Sequence, residues 1–195
     1  NLFDYVQMMQ FDLASDAFAT LRELLLNHKK SMAKFLDDEY ESFFEPFLEI
    51  LKSKHYVTKR QCLRLLADLL HDRNYHKVMQ RYINDEKQLV LCMDLLREGD
   101  SNAIKIEALH VFSVFVVNPK KEGKVLGVLR KNKTRLIELL EISHGKVEGN
   151  DDDVDDAYES VLEELKKFKD EEPAPKEQQP PPPARTGSSV TAQDT

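Results

Sequence analysis

The chain has 195 residues, of which 28 are basic and 35 acidic, so its formal net charge is −7. A hydrophobic content of 41% is enough for one sizeable core, whereas six glycines and no tryptophan argue against glycine-rich nucleotide loops and turn-rich all-β folds. The acidity lies at one end, because residues 148–195 hold 14 acidic and 5 basic side chains, which leaves 21 acidic and 23 basic ones in residues 1–147.

The composition also limits the partners and the compartment. A body with this nearly balanced charge is a poor candidate for a dedicated nucleic-acid binder. Two cysteines, Cys62 and Cys92, cannot form a disulfide framework and indicate a reducing compartment. No basic and then apolar leader opens the sequence, and its longest apolar stretch, residues 111–117, is far shorter than the roughly 20 residues that span a bilayer. We therefore expect a cytoplasmic protein with no nucleic-acid or membrane partner. A helical pattern that starts at residue 2 suggests the C-terminal part of a longer protein.

Helical periodicity dominates residues 2–146, where apolar side chains recur at spacings of three and four residues. Strand-like alternation is absent from the sequence, so the pattern predicts an all-α fold. The clearest apolar stripes lie in three long segments: Phe18, Leu21, Leu24 and Leu25; Leu63, Leu66, Leu69 and Leu70; Leu109, Phe112, Phe115 and Val116.

A repeat orders these helices. Leu-Glu-Ile-Leu-Lys at 48–52 corresponds to Met-Asp-Leu-Leu-Arg at 93–97 and to Ile-Glu-Leu-Leu-Glu at 137–141. A period of about 44 residues with two or three helices per unit is typical of HEAT and armadillo repeats. Each unit leaves an apolar face that its neighbour covers, so we expect an armadillo/HEAT-like helical-repeat solenoid with a concave face.

Each of three units has a long helix followed by two shorter ones. The predicted helices are 12–27, 31–36 and 40–52; 56–72, 75–82 and 87–97; 101–117, 121–130 and 134–142. Pro46 lies near the start of a helical pattern, where proline is best tolerated. Ser101 is a candidate N-cap.

The sequence thus predicts four regions. They are armadillo-like helical repeats at 1–146, an acidic linker at 147–153, a C-terminal capping helix at 154–170 and a disordered proline-rich tail at 171–195. The tail cannot bury enough apolar surface to offset its chain entropy. Its four consecutive prolines could serve a proline-binding module, but a plain solvated tail is favoured.

No motif for metal, phosphate or catalytic chemistry is complete. The acidic run 151–156 suggests a calcium loop, but Asp156 stands where the loop needs glycine and Leu162 where it needs glutamate. Neither Gly-Lys pair has the upstream glycine of a P-loop, and no histidine has the spacing of a zinc ligand. We therefore expect no metal, no cofactor and no catalytic residue. Function would then lie in exposed residues on one face of the solenoid.

Several short segments of the sequence match those of one family in residue identity and in order. They are Phe-Asp-Leu-Ala-Ser-Asp-Ala-Phe-Ala-Thr at 11–20, Tyr-Val-Thr-Lys-Arg-Gln at 56–61, Leu-Leu-His-Asp-Arg at 69–73, His-Val-Phe at 110–112 and Val-Val-Asn-Pro at 116–119. Over residues 1–169 the chain resembles the calcium-binding protein 39 family, also called the mouse protein 25 or Hym family. The resemblance implies the C-terminal half of a scaffold without catalytic activity. Such scaffolds bind a germinal-centre-type kinase or the pseudokinase STRAD and hold the kinase fold active, in polarity and morphogenesis signalling.

The resemblance also implies two surfaces. One is a pocket for a C-terminal Trp-Glu-Phe-like peptide of the pseudokinase, with Arg60, Met93, Lys131 and Arg135 at its matching positions. The other is a concave surface that faces the kinase, with Tyr56, Arg73 and His76. This sequence departs from the animal pattern at two places: Val90 replaces a usual lysine, and His76 replaces a phenylalanine.

A second class of function is an armadillo-type peptide-binding adaptor unrelated to kinases. Such adaptors, including those of nuclear transport, hold extended peptides with regularly spaced asparagine and tryptophan. The chain has no tryptophan, and its asparagines do not recur at the repeat period. We rank this class below the kinase scaffold and an enzyme last.

Overall fold

The computed structural model describes residues 2–8, 10–98, 101–121, 123–145 and 152–168. These residues form ten α-helices and one 3-10 turn, and no strand occurs among them. The helices are α1 (Leu2–Val6), α2 (Phe11–Asn27), α3 (Lys29–Asp38), α4 (Tyr40–Lys52), α5 (Tyr56–His71), α6 (His76–Ile83), α7 (Glu86–Glu98), α8 (Asn102–Val117), α9 (Gly123–His144) and α10 (Asp152–Lys167), with the 3-10 turn at Arg73–Tyr75. The all-α prediction is confirmed. The proline-rich tail lies outside the described residues, as does the linker up to residue 151.

The helices stack in two layers. In the first, which we call the front layer, α2 packs against α5, α5 against α8, and α8 against α10. Behind it, α4 contacts α5, α7 contacts α8, and α9 contacts both α7 and α10. This stacking is that of an armadillo/HEAT-like solenoid. The last helix, α10, takes the place beside α8 that the long helix of a fourth unit would take.

A line of buried rings joins the three units. The ring centroid of Phe44 in α4 lies 5.5 Å from that of Tyr82 in α6, which lies 5.7 Å from that of Phe115 in α8. None of the three side chains is more than 2% exposed. Offset and tilted ring pairs at such distances contribute beyond the area that they bury. We call these three residues the aromatic bridge.

The last helix is anchored at both ends. At its start the Asp155 carboxylate lies 2.8 Å from Nε2 of His144, whose ring stacks on Tyr158. At its end the Lys133 ammonium donates a 2.8 Å hydrogen bond to the carbonyl of Phe168. Between these ends, an apolar stripe that includes Val161 is buried. The helix is therefore part of the repeat packing along its whole length.

One predicted break is wrong. The sequence suggested separate helices at 121–130 and 134–142, but α9 runs unbroken from Gly123 to His144. The segment between the two predicted helices, Lys-Asn-Lys at 131–133, includes neither glycine nor proline and so contains no strong helix breaker. The side-chain amide of Asn132 donates a 2.8 Å hydrogen bond to the carbonyl of Val128, one turn back, so this residue fits inside the helix.

Two local features concern helix boundaries. Pro46 lies inside α4, not at its start, and costs the helix one backbone hydrogen bond. Its neighbours Phe43, Phe44 and Phe47 are buried, and their packing offsets that loss. At α8 the predicted N-cap is confirmed, since the Ser101 hydroxyl accepts a 3.4 Å hydrogen bond from the amide of Ile104. Among the described helices, none is both long and apolar enough to cross a bilayer.

The aromatic bridge predicts a specific loss of stability. Phe115→Ala should lower the free energy of unfolding by about 3–5 kcal/mol, because it leaves a cavity between two units. Val117→Ala, at a 46% exposed position on the same helix, should change it by less than about 0.5 kcal/mol. Urea denaturation followed by circular dichroism measures both, and equal losses would contradict the role given to the bridge.

Candidate partner-binding surface

The helix α5 presents one face to the core and leaves the other free. Cys62, Leu63 and Leu66 are no more than 1% exposed. On the opposite side Tyr56 is 39% exposed and the Arg60 side chain 47%. These two residues are one turn apart and therefore share a face. The helical period that buries one face of α5 thus also places candidate contact residues in a row on its exposed face.

Arg60 is held by a carboxylate of the next unit. Its Nε donates a 3.4 Å hydrogen bond to Oε1 of Glu107 in α8, whose side chain is only 11% exposed. The terminal guanidinium nitrogens of Arg60 bond to no residue that the structure describes. An arginine fixed through Nε still offers two parallel donors to a carboxylate of a partner.

A polar cleft lies beside Arg60, between α5, α8 and the start of α10. Its volume is about 630 Å³. Its lining includes Arg60, Arg64, Ala103, Ile106, Glu107 and Asp153. We call it the α5–α8 cleft. It places arginine side chains next to a small apolar floor, an arrangement suited to a peptide segment.

On the other side of α5 lies an apolar groove, between this helix and α2. Met8, Phe18, Tyr56 and Val57 contribute to its lining, and its volume is about 290 Å³. Val57 is 50% exposed, and Met8 is 43% exposed. Exposed apolar residues that lie together in one groove are typical of an interaction site.

The corner after α5 is rigidly built. The carboxylate of Asp72 accepts a 2.9 Å hydrogen bond from the amide of Asn74 and pairs with Nζ of Lys29 at 2.7 Å. These two partners, the lysine first, lower the pKa of Asp72 from 3.8 to about 2. The buried hydroxyl of Tyr75 donates to the carbonyl of Leu25. The corner is therefore fixed to α2 and α3 of the preceding unit.

Arg73 and His76 stand on this corner, and both are exposed. They lie at the far end of α5 from Tyr56, which is about 22 Å along a helix of this length. The three residues predicted to face a kinase thus lie at the two ends of one helix. Their role in binding stays a prediction.

The residues predicted for the peptide pocket lie on different elements. Arg60 lies in the front layer, whereas Met93 lies on α7, half-buried against the core. Lys131 and Arg135 are exposed one turn apart on α9, and neither pairs with a residue in the described ranges. Of these four residues, only Arg60 lines the α5–α8 cleft. The structure thus places Arg60 beside Tyr56, a residue predicted for the kinase-facing surface. The role of Arg60, Met93, Lys131 and Arg135 as one peptide pocket stays a prediction.

Two residues of this surface were missed from the sequence. Arg64 follows Arg60 by one helical turn, so helical spacing alone could have placed it on the same face. Glu107 is a single carboxylate within the apolar run of α8, and it is buried. A lone charge in such a run usually has a partner, and its partner here comes from another unit.

Neither a reactive thiol nor a cluster of metal ligands occurs among the residues that the structure describes. Burial raises the pKa of the Cys62 thiol to about 12 and that of Cys92 further, so neither forms a thiolate at neutral pH. Within the described ranges no three His, Cys, Asp or Glu side chains lie close enough to share a metal ion. What this surface offers is donors, acceptors and apolar contacts.

Comparison with known proteins supports the resemblance seen in the sequence. A family described as Mo25-like matches residues 1–169. The chain is 42% identical to a Mo25-like protein of Schizosaccharomyces pombe over 168 residues, which cover 86% of this chain and 50% of the relative. It is 41% identical to a human calcium-binding protein 39-like protein over 169 residues, which cover 87% of this chain and 50% of that protein. A conidiophore development protein, hymA, of Emericella nidulans is 39% identical over 141 residues, which are 72% of this chain and 36% of the relative. The chain thus spans about half the length of the first two relatives, and the predicted resemblance is confirmed.

The depressed pKa of Asp72 predicts a pH dependence of stability. Because the folded protein favours the charged carboxylate, this residue stabilises the fold above about pH 4, and the contribution is lost as the pH falls towards 2. Asp72→Asn keeps an acceptor for Asn74 but removes the charge that Lys29 needs. The stability difference between wild type and this variant should therefore be larger near pH 6 than near pH 3, as measured by urea denaturation. Asp38→Asn, at an exposed position, should show no such difference, and a pH-independent effect at Asp72 would contradict the assignment.

Proposed function

Because the chain belongs to the Mo25-like family, we propose that it is a non-catalytic scaffold for a germinal-centre-type protein kinase or a STRAD-like pseudokinase. The family match over residues 1–169 carries this proposal. The proposed setting is the cytoplasm, in signalling for cell polarity or morphogenesis. The relative named as a conidiophore development protein is in keeping with such a role.

The exposed face of α5 and the corner after it would form the kinase-facing surface. Tyr56 supplies an aromatic contact at one end, and Arg73 supplies a charge at the other. The corner is held by Asp72, so its residues meet a partner without first having to be ordered. Contacts that are ordered in advance cost less entropy on binding.

Activation would follow from differential affinity. A scaffold that binds the closed, active conformation of a kinase more tightly than the open one shifts the kinase towards the active state. Allosteric couplings of about 1–3 kcal/mol correspond to shifts of about 5- to 150-fold. The scaffold needs no chemistry of its own for this, only a rigid surface that fits one state.

The peptide pocket for a Trp-Glu-Phe-like tail is a separate part of the proposal. Met93 offers a soft, adaptable contact to an aromatic side chain. Arg60, and with it Lys131 and Arg135, would meet carboxylates of the tail. Val90, 41% exposed one turn before Met93, would make this neighbourhood more apolar than the lysine usual in animal relatives.

The test is a kinase assay with the full 195-residue chain and a purified germinal-centre-type kinase. Wild type should raise kinase activity, and Arg73→Ala and Met93→Ala should each reduce that activation at least about fivefold. Lys34→Ala, which removes an exposed charge from α3, serves as the control and should activate like wild type. If both site variants activate like wild type, the assigned residues are wrong. If wild type itself neither binds nor activates such kinases and instead retains cargo receptors, the peptide-adaptor class is favoured.

A further inference from the structure

Two opposite charges face the α5–α8 cleft, and neither has a partner in the described part of the chain. Arg64 of α5 and Asp153 of α10 both line it. Neither forms an ion pair or hydrogen bond with any residue in the described ranges, and they do not pair with each other. Most charges that line a narrow space in a folded protein are neutralised nearby. This cleft keeps one of each sign available.

An apolar floor lies in the same cleft. Ala103 and Ile106 of α8 are half-buried, and both line it. They stand one turn apart in α8, beside the start of α10. A short aliphatic side chain of a ligand would remove this surface from water, and the cleft, at about 630 Å³, has room for a few residues of extended chain.

The charges of the lining decide which class of ligand fits. Besides Arg60 and Arg64, the cleft contains the carboxylates of Asp68, Glu107 and Asp153. Since the three carboxylates outnumber the two arginines, the lining has no excess of positive charge to hold a phosphate dianion or a nucleic-acid backbone. A ligand with one acidic and one basic group meets a complementary charge at each side.

We propose that the α5–α8 cleft binds a short extended segment of a partner protein that carries an acidic residue, an aliphatic residue and a basic residue in turn. The acidic side chain pairs with Arg64, the aliphatic one packs on Ile106, and the basic one pairs with Asp153. This inference names a docking element for the scaffold proposed above and rests on that function only for the kind of partner.

Glu107 is a positioning residue in this arrangement. It holds Nε of Arg60, so that the two arginines, one turn apart on α5, face the ligand together. Without that contact Arg60 would be free to sample other rotamers. Arg64 forms no such contact with the described residues and supplies the charge that the ligand neutralises.

The probe is the acetylated and amidated tripeptide Glu-Leu-Lys, titrated into the full chain and followed through the side-chain Nε–Hε signals of arginine by NMR. Two matched peptides, Gln-Leu-Lys and Glu-Leu-norleucine, each lack one charge. The signals of Arg60 and Arg64 should shift with Glu-Leu-Lys, and each neutral replacement should weaken binding about fivefold, the size of one exposed ion pair.

Protein variants assign the two ends of the ligand. Arg64→Gln should weaken Glu-Leu-Lys about fivefold but leave the affinity for Gln-Leu-Lys unchanged. Asp153→Asn should weaken the binding of the two peptides that contain lysine, Glu-Leu-Lys and Gln-Leu-Lys. It should leave the affinity for Glu-Leu-norleucine unchanged. The controls are Lys34→Gln and Asp152→Asn. Asp152 lies beside Asp153 in the first turn of α10 but does not line the cleft. Its variant therefore shows the effect of removing a negative charge from this helix N-terminus alone.

Three results would overturn the inference. They are no shift of Arg60 or Arg64 with Glu-Leu-Lys at millimolar concentration, equal binding of the three peptides, and a stronger response to inorganic phosphate than to Glu-Leu-Lys. Since the probe contains no kinase, the titration stands apart from the kinase assay. A cleft that binds Glu-Leu-Lys in a protein that activates no kinase would leave this inference intact and the proposed function wrong.

Discussion

The register between repeats depends on the aromatic bridge. A single unit of two or three helices cannot bury its own apolar face, so the units are stable only against one another. Phe44, Tyr82 and Phe115 come from three successive units and meet in the middle of that shared core. Their contact fixes how far one unit is displaced along the next. Since α5 lies between α2 and α8, the two depressions that flank it take their shape from the same constraint.

Two carboxylates orient exposed residues of the partner-binding surface. Asp72 fastens the corner after α5 to Lys29 of the preceding unit, and Glu107 fastens Arg60 from the following unit. Both contacts cross a boundary between units. The exposed residues of the second unit are thus oriented by its two neighbours, and a partner that lies across the front layer meets a surface that is already ordered. This is the property that a scaffold needs if it is to favour one conformation of a kinase.

The sequence predicted the fold well because its signals are local. Apolar spacing placed α2, α5 and α8, and the Ser101 cap placed the start of α8. It failed at 131–133, where a break between two helices was predicted but Asn132 bonds within one continuous helix. The surface was harder to predict, because the contacts that define it are distant in sequence. Nothing near Arg60 in the sequence indicates that Glu107, 47 residues later, orients it. The availability of Arg64 and Asp153 is likewise a property of the packing of α5, α8 and α10.

We propose that a partner kinase binds across the exposed face of α5. Hydrogen–deuterium exchange of the full chain, with and without a purified germinal-centre-type kinase, tests it most directly. We expect added protection at residues 56–64 and at the corner 72–76, with little change in α3. Protection confined to the back of the solenoid, or no protection at all under conditions where the complex forms, would contradict it.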